Sequence, residues 1–179
     1  MLGNSKSVLF IYNSDSDFTG DDLNSTKVRG TESSLILLAE SFVKKNINVK
    51  VLTEVKQDVV CNGVLYGNKH SSQEKYYDLC IAISNANLFR NISSKKKVVW
   101  SNSLQPFEKF LRKKQLLPFL KYKPEVVTMC NYQYRKRSYL TSMFGKHMIT
   151  LLVDPRFYTE PVDLKEIPKP YALNNVRSL

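Results

Sequence analysis

Short apolar runs rich in β-formers recur along this chain, and stretches with helical spacing separate them. No other feature constrains the fold as much. Residues 7–12 (SVLFIY) read as a buried strand. Residues 33–45 read as a helix, with Leu35, Leu38, Ala39 and Phe42 on one face and Asn46 as its stop. Further strands are expected at 49–53, weakly at 63–66, and at 78–84, 97–102, 125–129 and 147–153. Helices are expected at 107–120, with a break before Pro118, and at 132–143. Such alternation predicts an α/β fold: a Rossmann-like three-layer sandwich with a mostly parallel sheet and helices on both faces. Sheets of this kind bind ligands beyond the carboxyl ends of their strands. The loops after Tyr12, Thr53, Ser84, Asn102 and Met129 are therefore the ones to watch.

At 179 residues, the chain fits one domain able to bury a core without metal or disulfide staples. Lys and Arg outnumber Asp and Glu by 27 to 16, a formal net charge of +11. That excess favours anionic partners such as phosphate groups or an anionic membrane surface, although a basic surface also serves solubility alone. Cys61, Cys80 and Cys130 are widely spaced and match no metal pattern, which points to a reducing compartment and hence the cytoplasm. The first twelve residues do not read as a signal peptide, and every apolar run is shorter than a membrane span. Any membrane contact is then peripheral, at the inner face.

The stretch Arg29-Gly30-Thr31-Glu32, with residues 35–53 after it, resembles the first crossover of the retaining GT-B glycosyltransferases of family 4. Weaker matches follow in order. Residues 77–83 (YDLCIAI) resemble the family's "YDVVI" strand, and 97–102 (KVVWSN) the strand into the acceptor-side loop. Residues 125–128 with Asn131 resemble a later strand, and 149–154 with Phe157 the run that closes the first domain. The similarity spans residues 7–158. Departures are Arg29 where the family has a second glycine, Ser101-Asn102-Ser103 where a histidine is common, and Leu151-Leu152-Val153 where it has Pro-Asn-Gly.

The resemblance implies residues 1–158 as the N-terminal, acceptor-side domain, and 159–179 as a linker or the start of a donor-binding domain. That second domain would come from the same chain or a partner, and without it the chain would be inactive. The implied reaction moves a sugar from a nucleotide sugar to a hydroxyl on a glycan or lipid-linked acceptor, with the nucleotide sugar as substrate and no separate cofactor. Gly30, Thr31 and Glu32 would lie on the donor phosphate side. Ser101, Asn102, Ser103, Thr128 and Asn131 would face the acceptor. The pattern assigns no catalytic residue. The alternative is a non-catalytic α/β module that binds an anion, a carbohydrate or a partner protein.

Each constellation also has a plainer reading. Gly30-Thr31-Glu32 can seat an anion at a helix N-terminus, or form an ordinary turn with Thr31 as N-cap. Asp15, Asp17, Asp21 and Asp22 form a solvated loop by default rather than a metal site. Asn102 and its serine neighbours can hydrogen-bond sugar hydroxyls or close a local turn. Lys109, Arg112, Lys113 and Lys114 interleave with Phe107, Phe110, Leu111, Leu116 and Leu117. That mixture suits an anionic membrane surface, or a core-facing helix with a solvated basic face. Arg135, Lys136 and Arg137 follow Tyr132 and Tyr134 without a nucleic-acid motif, so nucleic acid is not the expected partner. His70 and His147 have no catalytic spacing to a nucleophile or carboxylate.

Overall fold

The computed structural model describes residues 6–14, 17–25, 28–69, 76–102, 111–136 and 143–149. Eight strands form one sheet: β1 (Ser7–Ile11), β2 (Asn48–Thr53), β3 (Val59–Cys61), β4 (Val64–Asn68), β5 (Tyr77–Ile83), β6 (Ser94–Ser101), β7 (Glu125–Thr128) and β8 (Lys146–Met148). Their order is β3-β4-β2-β1-β5-β6-β7-β8. All pairs are parallel except β3 with β4. The winding reverses at β1, with β2 and β4 on one side and β5 to β8 on the other. This is the topological switch of a doubly wound α/β sheet.

The strands are apolar on both faces because both faces are covered. In β1, Val8 and Phe10 join one buried cluster with Leu35, Ile36 and Ala39 of α1 (Gly30–Val43). Leu9 and Ile11 point the other way, into a cluster with Phe89 and with Phe119 of α2 (Leu116–Tyr122). The result is the expected three-layer, Rossmann-like α/β sandwich. A third short helix, α3 (Asn131–Arg135), follows β7.

α1 begins three residues earlier than the periodicity predicts, with extended Arg29 as its N-cap, so Thr31 lies inside the first turn instead of capping it. The helix ends as anticipated: Asn46 takes the left-handed conformation (φ 58) and its N–H reaches the Val43 carbonyl at 2.9 Å. The described parts of the 13–30 loop make more contacts than its polar composition suggests. Phe18 is buried against Tyr12 and Tyr66. A 3-10 turn, Gly20–Asn24, is held by Asp22, whose carboxylate accepts the Thr19 N–H at 3.0 Å. Asp21 accepts the Cys61 thiol at 3.0 Å.

Three other expectations need correction. The helix predicted at 107–120 is interrupted: Lys114 is left-handed (φ 51), Gln115 is buried, and α2 starts only at Leu116. Pro118 then sits in the first turn, where its missing N–H costs nothing. The helix predicted at 132–143 stops at Arg135 within the described residues. The described part of the last strand, β8, is exposed throughout, and His147 pairs with Glu125 at 2.7 Å instead of entering an apolar interior. Residues 150–179, including the expected close of that strand and the linker at 159–179, lie outside the described residues.

Candidate functional site

The carboxyl ends of β6 and β7 and the first turn of α1 enclose a cavity of about 430 Å³, a volume in the usual range for small-molecule sites. Arg29, Gly30, Thr31 and Ser34 line it from α1, Trp100 and Asn102 from β6 and its exit, and Met129, Cys130 and Gln133 from the segment after β7. Crossovers on both sides of the sheet thus bring together residues separated by about a hundred positions.

Asn102 is the hub. Its side-chain Nδ2 donates to Thr31 Oγ1 at 2.9 Å and its backbone N–H donates to Ser84 Oγ at 3.3 Å. Its carbonyl accepts from Gln133 Nε2 at 3.1 Å, and Gln133 Oε1 in turn accepts the Met129 N–H at 3.2 Å. This lattice ties α1, β5, β6 and α3 into one rim. One group is left over: Asn102 Oδ1 is buried and has no hydrogen-bond partner among the described residues. An amide oxygen in that state is costly unless something donates to it, which a sugar hydroxyl does well.

The α1 N-terminus forms the opposite wall. Its N-cap residue, Arg29, makes no capping side-chain hydrogen bond, and the helix dipole puts partial positive charge at this end. A methyl group built on Gly30 would meet no atom within 4 Å, which leaves open space against this backbone. Arg29 adds a guanidinium at the exposed rim. A smaller apolar slot of about 60 Å³ adjoins the cavity and shares Ser34, Trp100 and Met129 with it, continuing past Leu38, Ile81, Val98, Val127 and Ile149.

Of the residues the sequence nominates, Gly30, Thr31 and Asn102 line this cavity, whereas Glu32, Ser101, Thr128 and Asn131 do not. Glu32 is buried, with Oε1 accepting from Ser14 Oγ at 3.4 Å and Oε2 without a partner among the described residues. Ser101 is buried within the sheet, and Thr128 donates its hydroxyl to the His147 carbonyl at 3.3 Å. Asn131 is exposed at the start of α3. Ser103 and Lys109 lie outside the described residues. Arg29, Cys130 and Gln133 were not anticipated. Gln133 sits in a run of polar residues and carries no signal beyond its place just past a strand end.

Among the described residues, no group of three His, Cys, Asp or Glu side chains is arranged to hold a metal ion. No helix there is long and apolar enough to cross a membrane. No protein-family model, curated protein or solved structure matches the chain.

Proposed function

We propose that this domain is the acceptor-side half of a GT-B glycosyltransferase, working on a nucleotide sugar and a hydroxyl acceptor. The observation that carries the reading is the cavity itself. It pairs the α1 N-terminus and Arg29, suited to phosphate oxygens, with the unsatisfied Asn102 Oδ1, suited to a hydroxyl. Its position beyond the carboxyl ends of a doubly wound sheet agrees with that use. In this reading Gly30 and Thr31 approach the donor phosphates and Asn102 orients the acceptor hydroxyl.

Trp100 is the sole tryptophan and lines the cavity, so its emission reports occupancy. Titration with uridine and guanosine diphosphates and their sugar conjugates should change that emission saturably. Arg29→Ala should weaken the response about tenfold, the loss of one charge-assisted contact. Sugar transfer to a hydroxyl acceptor in the presence of the complementary domain completes the test. Binding without transfer under those conditions would mark a non-catalytic binding module. Steeply salt-dependent binding to single-stranded nucleic acid, with indifference to sugar nucleotides, would sink both readings.

A further inference from the structure

Outside the cavity, the segment from Leu111 through α2 exposes apolar and basic side chains together. α2 is anchored by two aromatic residues: Phe119 is fully buried and packs on Phe144 at a ring separation of 5.7 Å, and Tyr122 packs edge-on against Phe89 at 5.9 Å. The opposite side of this short helix carries leucines in water. Leu117 is 78% exposed and Leu120 38% exposed, three residues apart and hence neighbours on one face, with exposed Lys121 beside them. Leu111 is 50% exposed just ahead, followed by exposed Arg112, Lys113 and Lys114. A solvated helix face does not need leucines, and a core-facing one would bury them. Exposed aliphatic side chains set among cations match a boundary that is apolar beneath and negative at its surface.

The patch is also fixed in place. Asn87 Nδ2 donates to the Lys113 carbonyl at 3.3 Å, and the Ala86 N–H donates to Gln115 Oε1 at 3.3 Å. Both partners belong to the 3-10 turn Ala86–Phe89 that leaves the carboxyl end of β5. The patch therefore begins at the same edge of the sheet on which the cavity opens.

We infer that this surface docks the protein on an anionic lipid bilayer, with Leu111, Leu117 and Leu120 entering the interface and Arg112, Lys113, Lys114 and Lys121 meeting the headgroups. The inference deepens the proposed function by naming where an acceptor would be met, but it stands on the exposed leucines and not on the transfer chemistry. Peripheral binding of this kind combines buried apolar area with roughly a fivefold gain in partition for each cation near an anionic surface.

The test is co-sedimentation of the full chain with vesicles of phosphatidylcholine alone, and of phosphatidylcholine with about a third phosphatidylglycerol. Binding is expected to the anionic vesicles only, falling as salt rises. The pair Arg112→Ala and Lys113→Ala should lower the partition about 30-fold. Leu117→Asp should abolish it, and at 78% exposure it should leave the melting temperature unchanged. Failure to bind anionic vesicles, or binding indifferent to both variants, overturns the inference. So does a polyanion response, in which polyphosphate binds as tightly as the vesicles and Leu117→Asp has no effect on either. Nucleotide titration of Trp100 on the same variants keeps the two readings apart, since neither substitution touches the cavity.

Discussion

Asn102 holds Thr31 with its amide nitrogen and leaves its amide oxygen buried and without a partner among the described residues, so the two halves of one side chain have different duties. Asn102→Ala removes both. The lost bond to Thr31 should cost about 1 kcal/mol of stability, read from denaturant midpoints. Binding of any hydroxylated ligand should weaken more than binding of inorganic phosphate. The thiols give a second handle. Burial pushes Cys61 up to about 11, with help from the hydrogen bond to Asp21, and pushes Cys80 up to about 12. Cys130 is exposed and lines the cavity. At pH 8, one of the three thiols should therefore react quickly with a thiol reagent, and a bound nucleotide should protect it; equal rates for all three would contradict the buried placement of the other two. A third residue-scale effect is acid sensitivity. Asp78 accepts the Ser7 N–H at 2.8 Å and the Ser7 hydroxyl at 3.1 Å, which holds its carboxyl below the ordinary 3.8. A depressed carboxylate stabilises the fold above its unfolded value, and that contribution is lost as pH falls through the lower folded value. The melting-temperature gap between the native chain and Asp78→Asn should be constant from pH 7 to 5 and close below pH 3.8.

At the scale of elements, legibility depended on whether the signal was local. β1, β2, β5, β7 and the second half of β6 carry clusters of apolar residues and could be read to within a few residues, as could the stop of α1 at Asn46, while the Ser-Lys-Lys start of β6 gives no such signal. The hairpin β3–β4 also carries a local mark. Asn62 and Gly63 both have positive φ (48 and 78), the arrangement of a two-residue hairpin turn, and the Asn-Gly pair is its sequence mark. β3 itself is only three residues with two exposed valines, too short for a periodicity to show. Gly63→Ala should cost about 2 kcal/mol: the alanine is forced into the left-handed region, and its methyl would lie 2.7 Å from Val43 Cγ1. A loss below about 0.5 kcal/mol in thermal or denaturant melts would mean that this turn relaxes to another form. The break ahead of α2 was only half legible. Pro118 signals it, but the left-handed residue is Lys114, and what holds the chain there is the long-range bond from Ala86 to Gln115.

At the scale of the whole molecule, alternation of strand and helix predicts an α/β sandwich, but it says nothing about strand order. Order is set by which crossovers pack over which face, and here that places the exit of β6 beside the first turn of α1. Gly30, Thr31 and Asn102 could be nominated from local signals, while Arg29 and Gln133 became visible only once the sheet was wound. Glu32 shows the opposite case, since the resemblance put it on the donor side and the fold turns it inward toward Ser14. The sheet also ends unevenly. β8 closes one side and β3 the other, each three residues long, and β3 leaves Val59 and Val60 41% and 68% exposed. A short edge limits how firmly a second molecule can add its own strand, yet two valines still reward the attempt. The expected result is weak, reversible self-association that grows with concentration. Val60→Lys should keep the chain monodisperse by light scattering at concentrations where the native sequence begins to pair.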